Sequence, residues 1–432
     1  MPCRPAVGVV VAAIMKVLVH DFAGHPFQAQ LSRELARRGH EIDHAYCGGV
    51  VTGRGDLTCR EEDPGSLTFT DLSDAPFERY APLGRIRSEV HYGRRLAAHV
   101  RATQPDIVLS ANTPLLSLTQ AWVAAHRVGA TRAYWVQDFL GRGTRAILSD
   151  RSPAAGATIG AAFERLETEL LRRADALVLI ADDFTTELAR RRVSTPSVVI
   201  ENWAPLDELA PRPKDNPWSR RHGLHDRQVA LYSGTLGLKH DPQHLVAVAE
   251  RLQGTGHVAV VVTEGAGRDL LEAERDRRGL HETLVLLDYV DYADLPDVLG
   301  TADACLVLLE AEAGSFSVPS KVLSYLAAGR AIVAAVPLEN LAARTIDRAG
   351  AGRVRAPGDH EGYAADVADV LAHPDLQVNL ARSARTYAEQ AFDIESIADR
   401  MLGALTRHRP LAGRSTPRAS TPSPLPAGAD TP

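Results

Sequence analysis

The chain reads as an α/β protein made of two Rossmann-like, doubly wound halves that face one another across a central cleft. Two observations predict this. Short apolar runs alternate with amphipathic helical stretches for most of the length, the pattern of βαβ units and a parallel sheet. The alternation is broken once, near the middle, by a stretch holding four prolines among charged residues, Pro205 to Pro217. At 432 residues the chain exceeds one ordinary core and fits two domains of about 200 residues each.

The elements follow in order. Arg4 and the apolar run after it imitate a signal peptide, but no small-residue cleavage site follows. The run leads into Met15-Lys-Val-Leu-Val-His20, a first buried strand, so residues 1–14 read as an extension ahead of a start at Met15. Val17 to His20 is a strand, Phe27 to Arg38 a helix ended by Gly39, and Glu41 to Tyr46 a second strand. Asp106 to Ser110, Ala133 to Val136, Ala176 to Ile180 and Ser197 to Ile200 continue the series. Phe163 to Arg173 is a helix with Phe163, Leu166, Leu170 and Leu171 at core spacing. The first half therefore spans 15–205, a linker 206–217, and a second half 218–385 with strands at Val229 to Tyr232, Val258 to Val262, Leu284 to Leu287, Ala304 to Leu309 and Ala331 to Ala335. Residues 386–408 read as a helix crossing back to the first half. The Pro, Ser, Thr, Ala and Gly of 409–432 cannot bury enough apolar surface to order themselves.

A net charge of −6 argues against a general nucleic-acid binder. Cys3, Cys47, Cys59 and Cys305 form no CxxC pair and no zinc-type cluster, which fits a reducing cytoplasm and no structural metal. Cys305 reads as a small core hydrophobe. No segment reaches the roughly 18 to 20 apolar residues of a membrane span.

In doubly wound halves, function lies on the loops after strands. Ser317-Val-Pro-Ser-Lys-Val-Leu-Ser-Tyr-Leu-Ala-Ala-Gly329 is a polar turn running into an apolar helix, a natural anion site. Lys321 opposes the helix dipole unless an anion sits opposite it, and Val318 and Ser320 flank it. Tyr232-Ser-Gly-Thr-Leu-Gly-Leu-Lys239 follows the first strand of the second half. Its glycines allow close backbone approach and Lys239 reaches a phosphate, or it is an ordinary βα turn. Asp21-Phe-Ala-Gly-His-Pro-Phe27, with Gly24 and His25, is a cleft loop or a plain helix start at Pro26. Gln137 and Asp138 end a strand facing the cleft, although Asp138 there could equally cap a helix. Glu264-Gly-Ala-Gly267 is not GxGxxG. Arg79, Arg85, Arg87, Arg94, Arg95 and Arg101 stand against one Glu89. They form a solvated face or a dock on anionic lipid, each contributing on the order of 1 kcal/mol near such a surface.

Together these segments resemble family 4 glycosyltransferases of the GT-B fold, over roughly Met15 to Arg407, and among them the WbuB-like bacterial surface-polysaccharide transferases. The likeness rests on Gly24-His-Pro-Phe-Gln28 with the Leu-Ser-Arg-Glu-Leu-Ala-Arg-Arg-Gly39 that follows. It also rests on Tyr134-Trp-Val-Gln-Asp138, Ile200-Glu-Asn-Trp-Ala204, Tyr232 to His240 and Ser317 to Gly329.

The resemblance implies a transferase that moves a sugar from a nucleoside-diphosphate sugar to a carbohydrate or lipid-linked acceptor, with retention, in the making of cell-surface polysaccharide. It implies no metal and no other cofactor, and no Asp-x-Asp is present. It places the enzyme in the cytoplasm or on the inner face of the plasma membrane. Lys239 matches the family's diphosphate lysine and Lys321 joins it, with His25 and Asp138 near the transferred sugar and Gln137 facing sugar or acceptor. Gly24, Gly234, Thr235, Gly265, Tyr289, Val290, Ser317, Val318, Ser320 and Ser324 then surround the donor, and Asn202 sits at the hinge.

Two positions depart from the pattern. Thr235 stands where an arginine is usual, and Ser324 where a ribose-binding glutamate is expected, with Phe316 in place of that glutamate's partner. Glu310 and Glu312 are out of register. Two rivals share the fold: a sugar-nucleotide 2-epimerase, and a catalytically weak nucleotide-sugar-binding partner protein.

Overall fold

The computed structural model describes residues 13–49, 54–74, 77, 82–237, 240–311 and 318–407. Two wholly parallel sheets account for its strands. The first holds β1 (Lys16–Asp21), β2 (Glu41–Tyr46), β3 (Leu67–Asp71), β4 (Ile107–Ala111), β5 (Thr131–Val136), β6 (Ala176–Leu179) and β7 (Ser197–Val199), in the order β3-β2-β1-β4-β5-β6-β7. The second holds β8 (Val229–Ser233), β9 (Val258–Val262), β10 (Leu284–Leu287), β11 (Ala304–Leu308), β12 (Ala331–Ala335) and β13 (Gly352–Arg355), in the order β10-β9-β8-β11-β12-β13. Both orders step outward one way from the first strand and then the other, the doubly wound arrangement that leaves a crevice at the reversal.

The central strands are nearly continuous apolar runs because helices cover both faces of a parallel sheet. Every residue of β4, β9, β11 and β12 is buried, and Cys305 on β11 is a buried free thiol. Two strands had no such signature. β3 and β13 lie at sheet edges and are mostly half-exposed. In β13, Arg353 and Arg355 point to Asp366, at 3.0 and 2.6 Å.

The proline-rich stretch is pinned rather than loose. Leu209 is buried, Lys214 pairs with Asp303, and Asn216 caps a short helix, Pro217–Arg221, that starts inside the predicted linker. The last helix, Ile394–Thr406, packs on the Pro26–Arg37 helix and on β6. Arg38 reaches Asp399 at 2.5 Å and the Glu395 carbonyl at 2.7 Å, and Arg400 donates to the Val199 carbonyl at 2.6 Å. Residues 1–12 and the tail beyond 407 lie outside the described residues.

The arginine-rich stretch lies on a helix, Pro82–Thr103, with Arg79 outside the described residues. Two of its arginines are used internally: Arg95 donates to the Leu72 carbonyl and Asp74, and Arg85 to Glu89. Arg87, Arg94, Arg101 and Ile86 form its exposed face. No helix among the described residues is long and apolar enough to cross a membrane.

A buried ion cluster braces the first half. Arg191, 4% exposed, donates to Glu167 at 2.7 Å and Glu187 at 2.6 Å, and its guanidinium lies 4.7 Å over Phe139. Glu167 is 1% exposed and also accepts from the Gly141 N–H. Replacing Arg191 with Met strands that carboxylate, so urea denaturation should show a loss of about 3 kcal/mol or more. Arg191→Met with Glu167→Gln should recover a large part of it.

Candidate functional site

The crevice in each sheet opens where the order reverses, between β1 and β4 in the first half and between β8 and β11 in the second. His20 pairs with Ser110 and Asp21 with Ala111 across the first reversal, and Leu231 pairs with Cys305 across the second. The loops that leave β1, β8 and β11 carry the residues singled out from the sequence.

In the second half the central feature is Lys321. It opens the short Lys321–Ala327 helix after β11, which ends at Gly329 with φ +59°. Its Nζ is buried and lies 3.5 Å from the centre of the Tyr232 ring at the end of β8, with no hydrogen-bond partner among the described residues. A Cβ added to Gly234 would stand 3.1 Å from that Nζ, and Gly234 holds φ +130°, a conformation that favours glycine. The glycine is therefore fixed by its backbone and by the ammonium beside it. Burial strips water from the ammonium and lowers its pKa to about 7. The Tyr232 face offers cation–π attraction in place of water.

The surrounding turn is tied down. The Tyr232 hydroxyl donates to the Thr235 carbonyl at 3.0 Å. Tyr325, one turn after Lys321, places its hydroxyl 3.3 Å from the Ser233 N–H, which donates to it. Thr235 is exposed, and Ser324 is partly exposed on the same helix as Lys321. Lys239 and Ser317 lie outside the described residues, as do Glu312 and Phe316.

Beside this turn, Gly265 (φ +96°) precedes the Ala266–Arg278 helix, and the Gly267 N–H donates to the Leu236 carbonyl at 3.3 Å. Gly265, Thr263, Glu264, Arg268, Asp288 and Tyr289 line one open cleft at the ends of β9 and β10. Gly265 and Tyr289 thus come together, while Val290 packs against the core. Arg268, which the sequence did not single out, spans this cleft to Asp288 at 3.0 Å. A second, small pocket lies between the halves, where Ile180, Glu201 and Asn202 meet Val318, Pro319 and Ser320.

In the first half, Asp21 is fully buried at the end of β1 and gathers the loop around itself. It lies 3.1 Å from His25 Nδ1 and accepts from the His25 N–H. The Gln28 amide, oriented to donate, reaches both Asp21 oxygens at 2.6 and 2.8 Å. Burial opposes charge on His25, but Asp21's charge and hydrogen bond outweigh it and Asp138 adds to them, raising the imidazole pKa above its ordinary value. Burial likewise opposes the Asp21 carboxylate, and His25 overrides it, so that its pKa lies below the usual range. His25 keeps a third of its side chain exposed, at 33%. Asn112, in a left-handed conformation just after β4 (φ +52°), places its amide 3.4 Å from His25 Nδ1. Gly24, at φ +79°, precedes this group.

Gln137 is 8% exposed, and both ends of its amide meet Asn202, at 3.2 and 2.5 Å. This reciprocal pair ties the end of β5 to the segment after β7. Phe27, Trp135 and Trp203 stack beneath it, with ring centres 5.4 to 5.7 Å apart. Sequence reading missed Asp21's central place, Gln28 and Asn112. The Asn-Thr-Pro following an apolar strand was the available signal for Asn112.

The first half matches the family description "Glycosyl transferase 4-like domain" over residues 24–203, and the second matches "Glycosyl transferases group 1" over residues 215–387. The chain is 24% identical over 307 residues to the Escherichia coli (strain K12) protein named as the colanic acid biosynthesis glycosyl transferase WcaI, covering 69% of this chain and 73% of that protein. It is 25% identical over 267 residues to the Pseudomonas aeruginosa protein named glycosyltransferase WbjE, covering 60% and 64%. The structure of Anabaena HepE in complex with UDP-glucose shares the fold, with a TM-score of 0.67 at 16% identity over 91% of this chain and 99% of that one.

The buried ammonium has a measurable signature in the free protein. With Lys321 near 7 when folded and near 10.5 when unfolded, the unfolded chain binds the extra proton between those values. Stability therefore rises with pH through that window and falls as pH drops toward 7, by at most about 1.4 kcal/mol per pH unit. Lys321→Met should melt higher than wild type at pH 7 and show a flatter rise in melting temperature from pH 7 to 9. Parallel curves for the two proteins would count against a buried, unpaired ammonium.

Proposed function

The chain belongs to the family 4 glycosyltransferases of the GT-B fold, and from that premise we propose that it transfers a sugar, with retention, from a nucleoside-diphosphate sugar to a carbohydrate or lipid-linked acceptor of a bacterial surface polysaccharide. The observation that carries the reading is the Lys321 ammonium held on Tyr232 beside Gly234, with no hydrogen-bond partner among the described residues. A diphosphate resting on the Gly234 turn would supply that partner. The cleft of Gly265, Arg268 and Tyr289 then takes the nucleoside, and the sugar extends toward the first half. The UDP-glucose in the HepE complex supports the donor class, and the colanic acid biosynthesis in the name of WcaI supports the acceptor class.

When the glycosidic bond to the diphosphate breaks, negative charge grows on the leaving oxygens. A cation already stripped of water and fixed in place stabilises that charge without reorganising at the moment of reaction. In this reading Lys321 supplies the charge, Lys239, which follows the glycine turn after β8, assists, and no metal is needed. His25, held by Asp21 and partly open to solvent, donates to a hydroxyl of the transferred sugar or the acceptor. Gln137 and Asn202 act as a brace across the first half, and Ser324 contributes at most one hydrogen bond to the ribose.

The test is to incubate the protein with a panel of nucleotide sugars, with and without lipid-linked or oligosaccharide acceptors, and to follow nucleoside diphosphate and the anomeric configuration of the product. Acceptor-dependent release with retained configuration is expected. Conversion of the nucleotide sugar without acceptor would point to the epimerase, and binding without release to the partner protein. Lys321→Met should weaken nucleoside diphosphate binding and lower kcat by about 10²-fold or more. His25→Ala should lower kcat by about 10²-fold with donor affinity little changed.

A lipid-linked acceptor brings the enzyme to a membrane surface, and the exposed Arg87, Arg94 and Arg101 face suits anionic lipid. Flotation with anionic vesicles should show binding that weakens with salt and with Arg87→Ala/Arg94→Ala. Equal flotation of the variant would remove this contact.

A further inference from the structure

Directly after the glycine turn of the second half, Asp241, His244 and His360 each bring one ligand atom to within 4.8 Å of the others. His244 lies on the Gln243–Arg251 helix, and His360 opens the His360–Ala372 helix. Those two helices pack side by side. From this cluster we infer a binding site for a divalent transition-metal ion of the zinc class, held by two imidazoles and one carboxylate, with its fourth position open to solvent.

The geometry carries the inference. His244 is 2% exposed, yet neither ring nitrogen has a hydrogen-bond partner among the described residues. A buried imidazole left in that state is costly, and coordination through Nδ1 would relieve it. Its neighbours are aromatic: the His360 ring centre is 4.2 Å away and the Tyr363 ring stands edge-on at 5.3 Å.

The spacing also fits. Ligand atoms about 2.0 to 2.1 Å from a tetrahedral ion lie roughly 3.3 Å apart. Asp241 Oδ2 is 2.6 Å from His360 Nε2 and 3.7 Å from His244 Nδ1, on either side of that value, and with all three atoms within 4.8 Å rotation of the imidazoles would bring them onto one ion.

The carboxylate is oriented for the task. Asp241 Oδ1 accepts from the Gln243 N–H at 2.9 Å, which leaves Oδ2 facing both imidazoles. Two nitrogens and one oxygen select a borderline ion such as zinc, cobalt or nickel over magnesium or calcium, which take oxygen. The ion would clamp two helices of the second half one residue from His240, whose ring accepts from the Gly237 N–H at 3.2 Å. It is thus placed to steady the glycine turn without touching a substrate.

The full chain, freed of metal with a chelator, would be titrated with zinc and with cobalt(II), each in competition with a chromophoric chelator. The expected result is one tightly bound ion per chain, the visible absorption of four-coordinate cobalt and a higher melting temperature with zinc. Magnesium and calcium should give none of these. His244→Phe and His360→Ala should each weaken zinc binding by at least about tenfold and remove the zinc-dependent rise in melting. His360 is 38% exposed, so its variant decides the matter if His244→Phe folds poorly. Absence of stoichiometric binding in the wild type, or equal binding in the His360 variant, overturns the site.

Discussion

A lysine ammonium taken out of water and set against an aromatic face is the constraint on which the second half of this chain depends. Lys321 sits there against the Tyr232 ring, and a side chain at residue 234 would crowd its Nζ at 3.1 Å. Holding the charge at neutral pH works against folding, since burial lowers its pKa to about 7. Such strain persists where the surrounding structure over-determines it, and it clusters at functional sites. The Tyr325 hydroxyl at the Ser233 N–H and the Tyr232 hydroxyl on the Thr235 carbonyl are the bonds that hold the turn in place.

The first half solves the opposite problem. There the buried charge is an anion, Asp21, and it is fully surrounded: His25 and Gln28 contact both of its oxygens, and backbone N–H groups complete the shell. The result is a histidine of raised pKa on a loop that faces the crevice. Among the described residues, one half thus holds a cation without a hydrogen-bond partner and the other a paired one. Phe27 sets its ring edge-on to Trp135 and Trp203, which stack on one another, so the first helix is packed against the residues that end β5 and follow β7.

Central strands were legible because a strand buried on both faces must be apolar throughout, as at Val258 to Val262 and Ala331 to Ala335. Edge strands carry no such signature. Arg353 and Arg355 in β13 are kept by ion pairs to Asp366, a helix residue that no local pattern connects to them. The pinned course of the proline-rich stretch was hidden for the same reason: the partners of Lys214 and Asn216, Asp303 and the Asp297 carbonyl, lie far along the chain.

By itself the sequence determined the class of fold, the positions of the glycine turns and the family, because periodicity, glycine placement and local motifs are properties of short segments. It also singled out Lys321, through the oddity of a cation in a first helical turn. Tertiary structure alone decided what that oddity means, since the burial that strips the ammonium and the ring that replaces its water come from a strand 89 residues earlier in the chain. The same holds for Asp21, whose role rests on Gln28, His25 and the Asn112 loop converging, and for the meeting of Asp241, His244 and His360. Charge and solvation depend on everything within a few ångströms, and only the folded chain fixes those neighbours.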